Sequence, residues 1–363
     1  MLTLALTPDQ IVTLVTAANL RVDFGAELLD ANDQVIEDIS EDLAGGEVEH
    51  NNFADVHGTC SLQLSRELDW NTARVRPYQT LTAEGLTKTW PLGVFLLTTP
   101  ETPLGENPKT YTVAGYDKLH LLQKPVGDTY FVATGTGYLV AVAQVITAAG
   151  YTGVAPFLDG TAVEKTLAAP MVWVLDTKSP TRYIDVVNAL LSAIGYRGLY
   201  ADASGRFRSE PYQSPAIRPP VWTFDLGDSR TQIVGERRTL TTDGFTQTNW
   251  WRFIRTGQSV APTEGSGMYT VDLSAGGTKV KSVTERNAAD QASLEAAGDV
   301  IVQAAQQVTR TLEITTGPWP VAGHLDVVQY KDPAGAMDHR CEVRSWRMPL
   351  DGKSDMSLTL EVL

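Results

Sequence analysis

A chain of 363 residues is too long for one ordinary core and predicts two to four domains. Its 43% hydrophobic and 20% charged content is globular, and no window nears the roughly 18 consecutive apolar residues of a spanning helix, so no membrane span is expected. The formal net charge of −14 argues against a surface that grips nucleic acid, which needs clustered Lys and Arg, but not against a wall that nucleic acid slides past.

The opening "MLTLALTPDQ" has no basic start and no cleavage-type tripeptide, so no signal peptide is expected and synthesis is placed in a cytoplasm. Thr7-Pro8-Asp9-Gln10 reads as an N-cap, a Pro at the first helical position and a capping-box Gln. Ile11, Val12, Leu14, Val15 and Ala18 supply the apolar stripe of that first helix. "RVDFGAELLDANDQVIEDI" then reads as two strands about an Asp-Ala-Asn-Asp turn. Its acidic spacing is loosely that of a calcium loop, but Val35 stands where that loop needs Gly, so the hairpin reading prevails. "CSLQLSRE" alternates strictly, which makes Cys60 a small buried hydrophobe beside Leu62 and Leu64; the other cysteine, Cys341, is far away. "VRPYQTLTAEG", "WPLGVFLLTTPE" and "KTYTVAGY" complete a β-rich first part.

After Tyr116 the composition changes. "TGTGYLVAVAQVITAAGY" and "SPTRYIDVVNALLSAIGY" each predict a helix that stops on Gly-Tyr, the second capped by Ser179 with Pro180 first. "LYADASGRFRSEP" reads as a hairpin turning at 202–205, and the Pro-rich "YQSPAIRPPV" as a stiff connector marking a boundary near 212–220. Further on, "TLTTDGFTQTNWWRFIRTG" supplies strands, "TGQSVAPTEGSGMY" a surface loop, and a helix is expected over about 287–308. The chain closes with strands "RTLEITT", "LDVVQYK", "CEVRSWRMPL" and "MSLTLEVL", the last tying down the terminus as a barrel-closing strand would.

Chemistry-bearing motifs are sparse. No Gly-x-Ser-x-Gly elbow, His-Glu-x-x-His or Walker loop occurs. "TGTGY" at 134–138 puts two glycines before a helix but lacks the rest of a phosphate cradle. His50, His57 and Cys60 are close in sequence, yet zinc would want a second pair nearby, and His120, His324 and His339 are elsewhere. Asp117 and His120 would share a helix face as an acid–base pair, but no Ser or Cys nucleophile accompanies them, and Asp117 sits where a helix start wants a carboxylate. No catalytic residue, cofactor-binding residue or metal ligand is therefore assigned. A hydrolase needing only two carboxylates stays open among 43 acidic residues.

The order of parts carries a resemblance. A β-domain ends in "YTVAGYDKLHLL"; two helices, a hairpin and a β-domain with "TNWWRFI" follow; an Ala-rich helix leads to "TRTLEITTGPWPVAGHLDVVQYKDP" and the closing "CEVRSWRMPLDGKSDMSLTLEVL". This resembles the tail-hub (baseplate hub) and minor tail proteins of long-tailed bacteriophages, especially those of actinobacteriophages. It departs from the family's Pro-Gly-Asp-Val turn, reading Ala322-Gly323-His324-Leu325-Asp326-Val327.

The resemblance implies an α+β, mostly β fold, with two tube-like β-barrel or sandwich domains flanking a smaller helix-hairpin module. The N-terminal tube-like domain would span 1–115, the module 116–213, and the C-terminal β-domain with its long helix 214–363. It further implies a homotrimer whose barrels form a pseudo-sixfold ring continuing the tail tube. Its partners would be the distal tail or tail tube protein, the tape measure protein and tip spike or fibre proteins. Genomic DNA would pass an acidic lumen without specific binding, with Glu37–Asp42 and Glu47–Glu49 as candidate lining. The protein would reside in the virion at the tail tip, perform no reaction and need no cofactor. The alternatives are a host cell-wall glycan-binding module using the aromatics of "TNWWRFI", and a tail-associated peptidoglycan hydrolase using Asp117 and His120.

Overall fold

Helix α1 (Pro8–Val15) starts as the capping box requires: Thr7 Oγ1 accepts the Gln10 N–H at 3.3 Å while Gln10 Oε1 accepts the Thr7 N–H at 2.9 Å. It buries Leu14 and Val15 against Leu81 and Ala83. The computed structural model describes residues 7–100, 109–176, 178–228, 238–242, 248–256, 261–277, 279–306, 310–317, 319–320 and 323–363. The start of the chain, much of "DGFTQT", the first part of the loop expected after Thr256, the last residues of the helix expected to 308, and Ala322 lie outside them.

The fold is mixed α+β and mostly β. Among the described residues, one sheet of fourteen strands runs through both β-rich ends of the chain. Its path begins at Thr239–Thr242 and passes through Arg310–Thr316, Met356–Val362 and Met337–Pro349. It continues through Leu43–Asn51, Gly58–Leu64, Tyr111–Asp117, Phe95–Leu97, Arg74–Ala83 and Arg21–Leu29, and ends at Val35–Asp38. The early and late strands meet in an antiparallel ladder from Ser345 opposite Asn51 to Pro349 opposite Glu47. One core follows that ladder: Val48, Leu62, Phe95 and Val113 belong to the same buried cluster as Trp319, Tyr330, Val343 and Leu358. Strict alternation along 58–64 sends Cys60, Leu62 and Leu64 into it, as the sequence predicts.

"WPLGVFLLTTPE" was expected as one strand and is two: Leu86–Pro91 and Phe95–Leu97. Gly93 at φ +135° turns the chain between them, where a Cβ would lie 2.7 Å from the Phe95 ring.

On the late strands Glu361 stands directly opposite Glu342 and is fully buried. Burial first, then the Glu342 charge, pushes the Glu361 carboxyl up to about 8 against the pull of Arg344. A carboxyl raised in the folded state contributes stability that is present below the ordinary carboxylate range and lost as pH climbs through about 8. Urea denaturation is expected to show a decline on the order of 3 kcal/mol between pH 5 and pH 8.5 from this group. Glu361→Gln should flatten that decline and leave the variant the more stable protein at the alkaline end.

Helices α2 (Tyr138–Ala148) and α3 (Tyr183–Ala193) build a second core with Leu119, Leu122, Tyr151, Leu199 and Phe207. Both stop as expected: Gly150 and Gly195 take φ +89° and +74°, and the following Tyr151 and Tyr196 donate back to Ile146 and Leu191. The start of α3 differs from expectation. Arg182, not Ser179, precedes the first turn, and Asp185 accepts the Arg182 N–H at 2.9 Å, supplying the cap that Ser179 was expected to give. The hairpin of Tyr200–Ala201 and Phe207–Ser209 turns on Asp202 and Gly205.

The aromatic stretch forms Trp250–Arg255, the centre of a separate four-stranded sheet covered on one face by α4 (Gln291–Gln306). That helix begins later than position 287 because Asp290 caps it, accepting the Ser293 N–H at 2.7 Å. Its start rests on the end of α3, where Ala289 donates to the Ala193 carbonyl at 2.9 Å.

Candidate functional site

Three parts of the chain meet around an open cleft of about 660 Å³. Gly93–Phe95 and Asp117 come from the early strands, Tyr200–Ser204 from the hairpin, and Trp319, His324 and Trp346 from the late strands and the segment before them. Of the chemistry-bearing residues singled out in the sequence, His50, Asp117 and His324 line this cleft, and the others lie elsewhere.

Asp117 ends strand Tyr111–Asp117 and caps the 3-10 helix Lys118–Gln123 that the sequence anticipated as a short helix. One carboxylate oxygen accepts the Leu119 N–H at 2.9 Å and the other the Gly58 N–H at 2.6 Å. Burial pushes this carboxyl up to about 7, with the backbone N–H groups of Gly58, Leu119 and His57 pulling the other way. His120 is exposed and stacks on Tyr116 at 5.1 Å. The sequence pair is thus separated into a backbone latch and a surface ring, and Asp117 has its oxygens committed to backbone donors.

The glycines of "TGTGY" are likewise occupied. The Gly135 N–H donates to Leu167 O at 2.8 Å and the Tyr138 N–H to Lys165 O at 3.2 Å, so the strap 165–167 takes up amides a phosphate would need. Trp250, Trp251 and Phe253 are 8%, 2% and 0% exposed, and Arg252 and Lys281 lie over the Trp250 ring at 4.7 and 5.5 Å. The stretch offers no open face for a sugar to stack on.

Spacing could not show that His324 comes to the early histidines. Its ring stacks on His57 at 5.0 Å and on Tyr200 at 4.1 Å. His50 lies edge-on to His57 at 6.0 Å and stacks on Trp346 at 5.8 Å. His50 Nε2 faces Asn52 Oδ1 at 2.9 Å, and Asn52 Nδ2 donates to Val343 O at 2.7 Å, tying the rings to the late strands. Burial holds His50 and His57 down at about 4 and His324 well below the usual imidazole range. Among the described residues no group of His, Cys, Asp and Glu is arranged to hold a metal ion. Cys60 faces the sheet core instead, and burial raises its thiol.

The acidic turn of the first hairpin also gains a role that its sequence hides. Asp33 takes φ 67° and turns its carboxylate inward, to Arg74 Nη1 at 2.9 Å and to the Lys118 ammonium. The three side chains are only 5%, 8% and 0% exposed. Val154 N–H reaches the same carboxylate at 3.3 Å, and Thr152 Oγ1 donates to Ala31 O at 3.2 Å. The turn is the expected hairpin rather than a calcium loop, with the Asp33 carboxylate claimed by cations and Asp30 Oδ1 accepting the Asn32 and Gln34 N–H groups. Burial lowers the Lys118 pKa, and Asp33 opposes that shift. On the other side of the junction Arg218 pairs with Glu342, and Arg340 donates to the carbonyls of Pro215 and Arg218, pinning the Pro-rich connector.

No protein-family model matches this sequence. No curated protein matches it either. Solved structures do. The tail protein from Neisseria meningitidis MC58 superposes with a TM-score of 0.62 at 12% identity, over 93% of this chain and 96% of that one. The 43 kDa tail protein of prophage MuSo2 from Shewanella oneidensis gives a TM-score of 0.59 at 12% identity, over 93% and 98%. Prophage tail protein gp18 from Listeria monocytogenes EGD-e gives 0.53 at 9% identity, over 93% and 94%. At such identities the likeness is one of fold, and it extends to tail proteins in general rather than to an actinobacteriophage subtype: nearly the whole chain is folded as these tail proteins are.

Proposed function

We propose that this protein is the hub at the distal end of a phage tail tube, of the actinobacteriophage kind its closing motifs resemble. Three copies form a ring, each giving two tube-like β-domains, 1–115 and 214–363, with the 116–213 module on the outside. The ring continues the tube, anchors the tip spike or fibre proteins, meets the tape measure and distal tail proteins, and lets DNA pass. The role is structural, in the virion, and no residue performs a reaction.

The observation that carries this reading is the single sheet through both ends of the chain, in a fold matched end to end by tail proteins. Its terminal strand Val35–Asp38 is exposed throughout, with Val35 and Ile36 at 50% and 62%, and its free edge is suited to joining a neighbouring copy. The net charge of −14 suits a passage that repels phosphate. The covered rings of the 250–253 stretch and the separation of Asp117 from His120 favour this role over sugar binding or hydrolysis. Mass photometry and negative-stain images of the purified protein, alone and with a purified tail tube protein, test the proposal. Particles of three times the monomer mass with a central hole are expected; monomers only in both mixtures would overturn it.

A further inference from the structure

We propose that the ring column Tyr200–His324–His57, with His50 and Trp346 at its side, is an acid-operated latch: neutral, it clamps the 200–209 hairpin onto the early and late strands, and charged, it releases the hairpin. The inference is independent of the ring-forming role, since every residue in it belongs to one copy.

The geometry sets up the device. Tyr200 and His324 lie nearly parallel, 13° apart, and His324 and His57 are 18° apart, so the hairpin, the segment before strand Val327–Asp332 and the turn before strand Gly58–Leu64 are held by one stack. Stacking of this kind is favourable for neutral rings. The Nδ1 atoms of His57 and His324 are shut off from solvent and have no hydrogen-bond partner among the described residues. A proton placed on either would be a buried donor without an acceptor, carrying a charge that repels its neighbours.

The surrounding charges do not offset this. Arg197 and Arg218 face His324 from the hairpin side and the connector, and both disfavour its cation. Asp117 is engaged with Gly58 and Leu119, and Asp326 accepts the Gly323 N–H at 2.6 Å. Asp55, on the His57 turn, favours the His57 cation, but it is exposed and pairs with Arg182 at 2.9 Å, and burial outweighs it. Glu210 accepts from the Tyr200 hydroxyl at 3.0 Å, and Glu342 pairs with Arg218.

The signs separate the two families of groups. The histidines are held down, so the stability they contribute is whole above the ordinary imidazole value of 6.5 and drains away as pH falls toward about 4. Asp117 and Asp326 are held up, so theirs is whole at low pH and lost as pH rises, for Asp117 through about 7. In mild acid the two effects oppose each other and the junction carries little charge. Once Asp117 is protonated, further acid charges the rings, and the neighbouring carboxylates Asp55 and Glu342 are already paired with Arg182 and Arg218.

Hydrogen exchange by mass spectrometry on the full chain reads the latch directly. Between pH 5.5 and 3.5, after correction for intrinsic rates, peptides covering 198–209 should exchange about tenfold faster, while the cores of α2 and α3 keep their protection. His57→Phe and His324→Phe keep a flat ring that cannot take a proton, and each should move the midpoint of hairpin opening down by at least about half a pH unit. In the wild-type protein, exchange at the histidine C2 position gives each ring's titration without any substitution. Low midpoints for His57 and His324 that coincide with hairpin opening support the latch. Titration of both near 6.5, hairpin exchange that does not respond to acid, or an unchanged midpoint in a folded Phe variant would each overturn it.

Discussion

Asp33→Ala is expected to cost about 3–5 kcal/mol of folding stability, among the largest effects of any single surface-loop change in this chain. The residue sits in a two-strand turn, where substitution is ordinarily cheap, but its carboxylate is the shared counter-charge of Arg74 and Lys118, whose side chains are 8% and 0% exposed. Removing it leaves two cations in a site built for three charges, and the Val154 N–H loses its acceptor. The double variant tests this cause. If Lys118 becomes a liability once Asp33 is gone, Lys118→Met in the Asp33→Ala background should cost at least about 1 kcal/mol less than in the wild type, and can restore stability outright. Urea denaturation of the four proteins gives the cycle. Simple additivity would show that the cage holds nothing together.

That cage marks the limit of what the chain discloses as a string. Elements governed by neighbours within a few residues were legible: the Thr7 capping box, the Gly-Tyr helix stops, the alternation that buries Cys60, Leu62 and Leu64, and Asp117 as a cap. Their physics is local, in orphan amides, left-handed caps and a two-residue pleat. The errors were local rivalries: Arg182 and Asp185 outcompete Ser179 in starting α3, and Gly93 breaks a run that reads as one strand. The junction was not legible. His57 and His324 carry no spacing signal toward each other, and their stack exists only because the ladder of 345–349 on 47–51 brings the two ends of the chain together. Asp33 was visible as an acid in a turn, but its buried partners come from Arg74 and Lys118, on other elements. A hairpin rule has no term for either.

The same ladder leads to the second large effect, at Trp319. Trp319→Ala should cost about 3–5 kcal/mol, the range for emptying a large aromatic site that cannot collapse. The side chain is 1% exposed, lies edge-on to Phe224 at 5.4 Å, and belongs to the core that holds early residues such as Leu62 and late ones such as Leu358. Its indole N–H has no hydrogen-bond partner among the described residues, so Trp319→Phe forfeits volume and not one of their bonds, and should cost distinctly less than the alanine. The location of the damage is the sharper test. If both β-rich ends share one core, the opening free energy read by native-state hydrogen exchange in Trp319→Ala should fall by a similar amount in strands 43–51 and 337–349, although Trp319 follows the late strand 310–316 in the chain. Loss of protection confined to the late strands would mean that the ladder joins two cores that fold separately. Equal loss would make the early and late strands one cooperative unit, and a unit of that kind transmits a pull or a clamp at one end of the sheet to the other.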